Sequence, residues 1–229
     1  MAGGLTVAAD IAALWTRWID LLEAHGFAVR AVLAPGASEA ELAALEVATG
    51  LELTAEIRAL YRLNKGQRER PSLGLIREGR ADPWPPNAAP PFGFYEFLGT
   101  HAAATAWQGW QDIAVDQGPD GMADFAAHAT VSEPDKVKQQ YWMPGWLPFS
   151  RDGGGNSFAF GFDPEPGGTV GQIIIIGSDE DHRQVFAPSI GAFLARLIDE
   201  WQQGRFEIEA QDDDARYYDL PFLRGVTSP

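Results

Sequence analysis

The residues that most invite a chemical interpretation form a glycine-rich segment, Asp152 to Asn156, followed shortly by Asp163. Successive glycines can expose N–H groups to an anion, but a phosphate-binding P-loop ends in Gly-Lys-Ser/Thr, whereas these glycines precede Asn156 and Ser157. The oxygen atoms could suit calcium, yet the alternating carboxylates and terminal glutamate of an EF-hand loop are missing. We therefore interpret the segment as a β-hairpin turn in which Asp152 or Asn156 accepts local hydrogen bonds, and we predict no metal and no cofactor.

A second candidate site is the acidic segment Asp179, Glu180, Asp181 and His182, which follows the β-branched run Ile173 to Ile176. Carboxylates in a loop could hold a divalent ion or contact a lysine-rich protein. A solvated turn is the plainer interpretation, because charged residues are mostly exposed.

Motifs for nucleophilic catalysis are missing from the sequence. Ser157 does not lie in a Gly-x-Ser-x-Gly motif, and the chain has no cysteine to pair with its four histidines. Carboxylates are plentiful, but acid–base catalysis depends on their separation in space, which sequence does not provide. We therefore predict that the protein is not an enzyme, and a metal-dependent or small-molecule enzyme is the weakest alternative.

The best candidate in the sequence for an exposed aromatic patch is the cluster Tyr141, Trp142, Met143 and Trp146. Tryptophan is enriched among residues that dominate binding energy, and exposed apolar patches mark interaction sites. A tryptophan that enters a strand is more often part of the core, so Trp146 has both interpretations.

The charge balance limits the possible partners. The chain has 32 acidic and 17 basic side chains, a formal charge of −15. Such a field repels nucleic acid and anionic lipid, so we predict neither a nucleic-acid nor a membrane partner. A basic protein would complement the acidic groups at Asp179 to Asp181 and at Asp212 to Asp214. The alternative is that the charge serves solubility only.

The composition and the N-terminus suggest a cytoplasmic protein. The chain has no cysteine, and Met1 to Leu14 has no lysine or arginine and contains Asp10, which makes it a poor signal peptide. No apolar run approaches the roughly 20 residues of a membrane span. With 229 residues, 45% of them hydrophobic, we expect a single domain over residues 1–229.

Apolar periodicity predicts five helices and a run of strands. The helices begin after Asp10, at Ser38, at Thr54, before Trp107 and at Ser189, and they end near Gly26, Gly50, Gly66, Gly118 to Gly121 and Gly204. The strands are Phe94 to Leu98, the alternating Phe158, Phe160 and Phe162 with one buried face, and Ile173 to Ile176. Strands grouped between helices indicate an α+β fold with a mainly antiparallel sheet.

Two irregular segments complete the prediction. The Pro-rich stretch at 79–91 is expected to be an ordered surface loop anchored by Trp84 and Phe92. The acidic C-terminal segment at 210–229 is expected to be an exposed tail or edge, although Tyr217, Tyr218 and neighbouring apolar residues could dock.

Two ordered blocks, together about half of the chain, resemble the SUKH superfamily. The helix-pair block comprises Glu41, Leu45, Gly50, Leu51, Leu53, Ile57, Leu60, Tyr61 and Asn64. The strand block comprises Trp146, Pro148, Phe149, Asp152, Gly153, Gly154, Gly155, Asn156, Asp163, Pro164, Gly171, Gln172 and Ile173, with Ala187, Ser189, Phe193 and Leu194 following. Two departures are Thr54, where proline is usual, and Lys65, which separates Asn64 from Gly66.

The resemblance implies a non-catalytic α+β domain that binds proteins. The superfamily includes bacterial toxin-immunity proteins and fungal cell-wall-assembly regulators. Our leading hypothesis is an immunity protein that binds and neutralises a cognate toxin, and the alternative is a regulatory or scaffold module of the fungal cell-wall-signalling type. The motif residues expected to be structural are Trp146, Pro148, Asp152, Gly153, Gly155, Asn156, Asp163, Gly171 and Gln172. Partner contacts are expected from Tyr141, Trp142, Trp146, Asp179, Glu180 and Asp181.

Overall fold

A computed structural model of the chain describes residues 2–70, 78–79, 81–210 and 216–224. Four helices come first along the chain: α1 Ala2–Ala24, α2 Val29–Val32, α3 Glu39–Thr49 and α4 Ala55–Leu63. The strand-rich part follows: β1 Glu96–Phe97, α5 Thr100–His128, β2 Thr130–Val131, β3 Trp146–Pro148, β4 Ser150–Arg151, β5 Ser157–Gly161, β6 Gln172–Ile176, β7 His182–Arg183 and β8 Val185–Ala187. The last elements are α6 Ile190–Gln202, β9 Glu207–Ala210, β10 Arg216–Asp219 and a short 3-10 helix, Pro221–Arg224. The predicted α+β class is confirmed.

The helix boundaries follow local capping signals. Ser38 Oγ accepts a hydrogen bond from Glu41 N at 3.3 Å, and Glu41 Oε2 accepts one from Ser38 N at 2.8 Å, which completes the predicted capping box. Thr54 caps α4, and Ser189 caps α6, each through a backbone N–H three residues on. The predicted start of α1 was wrong. The helix begins at Ala2 rather than after Asp10, although the preceding residues include two glycines, whose helix propensity is low.

A kink divides α5. Gly118 breaks the helix as predicted, with φ 67° and ψ 176°, a conformation that favours glycine. Pro119 follows, and the helix then continues to His128, which the sequence analysis missed. Proline is well suited to the first turn of a helix, so the Gly-Pro pair ends one helical segment and begins the next.

The main sheet has four antiparallel strands in the order β3-β5-β6-β8. Phe158 lies opposite Ile175 and Phe160 opposite Ile173, so the two predicted strands exist and are neighbours in the sheet. Phe193 of α6 packs against Phe158 with a ring separation of 5.6 Å, so the last helix covers this face.

The expectation of one buried face in β5 was wrong. Every residue of β5 and of β6 is buried, including the small residues Ser157 and Ala159 that alternate with the phenylalanines. Helix α5 lies against the neighbouring strand β3. Strand β5 also ends at Gly161, which leaves Phe162 half-buried beyond it.

The C-terminal segment and the Pro-rich loop pack together against α1. Tyr218 of the β9–β10 hairpin is buried, and its hydroxyl donates to Pro90 O at 2.7 Å. Trp18 of α1 donates to Pro91 O at 2.7 Å, and Phe92 is fully buried as predicted. Docking of residues 216–224 is therefore established, whereas Asp212 to Asp214 lie outside the described residues. In the described ranges, no helix is both long and apolar enough to cross a membrane.

Candidate protein-binding surface

The glycine-rich segment is a hairpin turn between β4 and β5, as the sequence predicted. Asp152 Oδ1 accepts hydrogen bonds from Gly154 N at 2.7 Å and Asn156 N at 3.0 Å, and Asp152 Oδ2 accepts one from Asn156 Nδ2 at 2.7 Å. Gly153 and Gly155 supply the positive φ angles, 83° and 105°. Both carboxylate oxygens of Asp152 are thus engaged in holding the turn.

The structure joins this turn to the acidic segment, which the sequence analysis treated as a separate site. Ser178 Oγ donates to Gly154 O at 3.2 Å, and Asp179 N donates to Asn156 Oδ1 at 3.2 Å. A Cβ on Gly155 would lie 2.5 Å from Ser178 Oγ, so the close approach requires glycine at this position. We call Ser178 to Asp181 the acidic loop.

The acidic loop presents its carboxylates to solvent. Asp179 and Asp181 are exposed and Glu180 is half-buried, and within the described part of the chain none of the three forms a salt bridge. The imidazole of His182 fixes the end of the loop, since its ring nitrogens lie 2.7 Å from Thr130 Oγ1 and 2.5 Å from Ser132 Oγ. The loop is therefore a fixed, negatively charged surface.

A buried arginine that the sequence analysis missed supports the loop from below. Arg183 is 0% exposed and donates to the carbonyl oxygens of Gln140 at 3.0 Å and Tyr141 at 2.7 Å, and also to that of Glu180. Burial lowers the pKa of Arg183, and the neighbouring Glu180 and Asp181 partly offset this effect. An arginine that follows several acidic residues is expected to be an exposed ion-pair partner. The sequence therefore did not predict that Arg183 is buried and supports the loop.

The prediction of an exposed aromatic patch was wrong for Trp142 and Trp146, which are both buried. Trp142 is 3% exposed and Trp146 1% exposed, so neither side chain can contact a partner, and the core interpretation of Trp146 is confirmed. Helix α5 covers this segment: the Trp107 ring lies 6.1 Å from that of Trp142, and Trp107 Nε1 donates to Pro144 O at 2.9 Å.

Tyr141 remains half-buried at the surface, with different neighbours. Its ring lies 5.6 Å from that of Trp110 and 4.8 Å from that of Phe125, both on α5. Burial raises the pKa of Tyr141; Arg183 opposes this shift, and Asp181 and Asp179 add to it. The acidic loop therefore lies close to this aromatic group.

A groove of about 640 Å³ separates α5 from the turn and the acidic loop. Ala106, Trp110 and Ile113 line its helical side. The opposite side is lined by Glu96, Arg151, Gly153, Gly155, Ser157 and Ser178. Arg151 Nε pairs with Glu96 Oε2 at 2.7 Å. We call this feature the α5 groove.

The other motif residues make contacts within the fold. Asp163 pairs with Lys138 at 2.6 Å, and Gln172 Nε2 donates to Lys136 O at 2.9 Å. Pro148 lies opposite Ala159 in the sheet, and Gly171 has φ 86°. Among the described residues, no three histidine, aspartate or glutamate side chains are grouped so that they could hold a metal ion.

These elements define an α+β protein in which an antiparallel sheet lies between helices and a glycine-rich hairpin supports an acidic loop. The chain belongs to the SMI1 / KNR4 family (SUKH-1), whose profile matches residues 36–196. The matched part runs from the start of the α3–α4 pair through the sheet and into α6, so the resemblance found in the sequence is confirmed.

Similar curated proteins come from fungi, and some of them are named as regulators. The chain is 34% identical over 95 residues to a KNR4/SMI1 homolog 2 of Debaryomyces hansenii, covering 42% of this chain and 16% of that protein. It is 30% identical over 112 residues to the cell wall biosynthesis/cell cycle regulator smi1 of Schizosaccharomyces pombe, covering 47% and 22%. It is 35% identical over 91 residues to a glucan synthesis regulatory protein of Neurospora crassa, covering 40% and 17%. The chain thus spans only 16% to 22% of the length of these relatives.

Proposed function

We propose that this protein is a non-catalytic binding module that regulates a protein partner by contact, as a member of the cell-wall-regulator type. Membership of the SMI1 / KNR4 family, together with relatives named as regulators of cell wall biosynthesis and glucan synthesis, supports the regulatory role. The observation that carries the binding role is the acidic loop, whose three carboxylates have no described ion-pair partner. This conclusion favours the regulatory alternative over the immunity hypothesis.

The construction of the acidic loop suits recognition. Hydrogen bonds to Asn156 at one end and the contacts of His182 and Arg183 at the other hold its backbone in place. A preorganised surface loses little conformational entropy when a partner binds, so more of the contact energy appears as affinity. Unpaired carboxylates attract a basic partner and repel an acidic one.

The non-catalytic part of the proposal rests on the relatives and on how two carboxylates are used. The relatives are named as regulators rather than as enzymes. Asp152 uses both oxygens in the turn, and Asp163 is paired with Lys138. Purified protein should therefore show no turnover with broad hydrolase and transferase substrate panels. An activity that disappears in a folded Asp163→Asn variant would refute this proposal.

Toxin immunity is the second candidate function. The charge of −15 and the acidic loop favour it, because an acidic surface could cover the basic active surface of a toxin. In this role the partner would be a toxin, and cells that express the toxin would grow again when they also express this protein. The cytoplasmic location expected from the sequence stays a prediction under both functions.

One genetic experiment separates the two candidates. The gene is deleted in its own organism, and growth is measured under agents that weaken the cell wall and, separately, during expression of toxins encoded by adjacent genes. We expect sensitivity to wall stress, rescued by the wild-type protein but not by a triple Asp179→Asn, Glu180→Gln, Asp181→Asn variant. The matched control is a triple Asp10→Asn, Glu52→Gln, Glu69→Gln variant, which changes the net charge equally at exposed positions outside the acidic loop. Sensitivity to a toxin alone would favour immunity, and normal growth in both arms would refute both roles.

A further inference from the structure

The α5 groove supplies a binding site that would act together with the acidic loop. We propose that the groove receives a large apolar side chain from a basic segment of the protein partner, while carboxylates on both sides of the groove bind lysine or arginine side chains of that segment. The inference rests on the proposed function and names the surface and the chemistry of the partner.

Helix α5 has a fully buried apolar face and a second apolar face that is only partly covered. Ala103 and Trp107 are buried against the rest of the protein. Ala106, Trp110 and Ile113 follow at spacings of four and three residues, which places them along one side of the helix, facing the groove. Ile113 is 42% exposed, so part of its side chain is available to a partner.

The groove is large enough to admit a bulky side chain together with neighbouring parts of a peptide. Its volume of about 640 Å³ falls within the roughly 300–1,000 Å³ that is typical of ligand sites. The indole of Trp110 and the side chain of Ile113 offer an apolar wall, and the glycines of the turn opposite leave backbone accessible. Such a cleft suits a leucine or phenylalanine anchor, since buried apolar anchors dominate binding energy.

Carboxylates of α5 lie next to the groove, and on its other side the groove reaches the first residue of the acidic loop. On α5, Asp116 lies three residues after Ile113 and is therefore its neighbour on the helix surface, and Asp112 is exposed next to Ile113. Neither aspartate has a salt bridge among the described residues, and Asp112 accepts a hydrogen bond only from Gln108, at 2.9 Å. On the other side, Ser178 lines the groove at the start of the acidic loop.

The charge decides among possible occupants. Arg151, the arginine in the groove wall, is already neutralised by Glu96. A second copy of this chain, with its own charge of −15, would be repelled, as would nucleic acid and anionic lipid. A protein segment that alternates lysine or arginine with an apolar side chain complements both the wall and the border.

The test uses a fluorescein-labelled lysine-rich peptide with a central Phe-Leu pair, and the same peptide with serines in place of that pair. Binding is measured by fluorescence anisotropy with wild-type protein, with Ile113→Lys, and with Val47→Lys as the matched control. Val47 is 85% exposed on α3 and does not line the groove, so it is not expected to contact the peptide. Its replacement by lysine changes the net charge by the same amount as Ile113→Lys. Ile113→Ala serves as a second, milder variant, and thermal melting checks that each variant folds.

We expect the Phe-Leu peptide to bind and the Ile113→Lys variant to weaken binding by roughly tenfold or more, with little effect of Val47→Lys. The serine peptide should bind much more weakly. Equal weakening by both lysine variants, equal binding of the two peptides, or concentration-dependent dimerisation through this face would each overturn the proposal.

The outcomes for the groove and for the proposed function are distinct. If a native partner regulated growth but bound the Ile113→Lys variant as tightly as the wild-type protein, the groove proposal would be refuted. The proposed function as a binding module would still stand. Peptide binding in the groove together with normal growth of the deletion strain in both arms would refute the proposed function and leave the site intact.

Discussion

Arg183 shows how one side chain can organise a surface without reaching it. Its guanidinium is fully buried and donates to three backbone carbonyls, from Gln140, Tyr141 and Glu180, rather than to a carboxylate. Its charge also lies 5.8 Å from the ring of Trp146, which adds a cation–π contact. The arginine thus ties the segment before β3 to the end of the acidic loop.

We predict that Arg183→Met destabilises the protein by about 3 kcal/mol or more. The substitution leaves buried carbonyls without donors, at a cost of roughly 1–3 kcal/mol each. The measurement is urea unfolding, with Arg17→Met as the matched control because Arg17 is exposed. Equal destabilisation in the two variants would contradict a special role for the buried guanidinium.

The capping box of α3 predicts a pH dependence. Hydrogen bonds from Lys65, then from Ser38, lower the pKa of Glu41 from its ordinary value of 4.5 to about 2. A carboxylate whose pKa is lower in the folded state stabilises the protein above pH 4.5, and this contribution is lost as pH falls toward about 2. The wild type should therefore exceed Glu41→Gln in stability at neutral pH and lose that advantage across this window.

The check is urea unfolding of both proteins at pH values from neutral to about 2. Glu52→Gln is the control, since Glu52 is exposed and has no salt bridge among the described residues. Parallel stability curves for the wild type and Glu41→Gln would show that the ion pair with Lys65 contributes nothing.

At the scale of elements, the kink in α5 sets where its aromatic residues lie. The residues before Gly118 carry Trp110 and Ile113 along the groove, whereas Phe125, beyond the kink, packs against Tyr141. The ring of Trp110 also lies 5.6 Å from that of Tyr141, so residues on both sides of the kink at Gly118 contact the same tyrosine. The conformation of one glycine therefore shapes one wall of the surface.

Replacement of glycine by alanine at two positions of α5 should have opposite effects on the stability of the protein. Gly118→Ala places a Cβ on a backbone with φ 67° and ψ 176°, which costs roughly 1–3 kcal/mol, although no atom lies within 4 Å of that Cβ. Gly109→Ala lies in regular helix, also with no atom within 4 Å, and should stabilise by about 1 kcal/mol. Thermal unfolding of both variants checks the signs, and destabilisation by both would refute the backbone explanation.

At the scale of the whole molecule, the proposed binding would use charge for encounter with the partner and the groove for its retention. The chain has a formal net charge of −15. The acidic loop, with its unpaired carboxylates, begins at Ser178 in the wall of the groove where an apolar anchor would bind. Fixed surface charge accelerates association, and salt screens it beyond about 10 Å at 0.1 M ionic strength. Apolar contacts are less sensitive to salt, so dissociation should change less.

We predict that the triple Asp179→Asn, Glu180→Gln, Asp181→Asn variant associates roughly tenfold more slowly with the Phe-Leu lysine peptide at low salt. Stopped-flow measurements across a salt series provide the rates, and the triple Asp10→Asn, Glu52→Gln, Glu69→Gln variant provides a control of equal charge. If neither salt nor the acidic-loop variant changed the association rate, the charge would serve solubility only.

The sequence by itself determined those features that depend on residues a few positions apart. The capping residues Ser38, Thr54 and Ser189, the glycine-rich turn, and the strands around Phe158 and Ile174 were all predictable, because caps, turns and alternation are local. The family was also predictable, since the order of its motifs survives in the chain.

Only the tertiary structure decided which side chains reach the surface. Trp142 and Trp146 looked like candidates for contact, yet α5 covers them, while Trp110 and Ile113 border a groove with residues some forty positions away. Arg183 is buried because distant carbonyls satisfy its donors. Exposure and hydrogen-bond partnership depend on how elements far apart in sequence pack, and periodicity within one element carries no record of what will cover it.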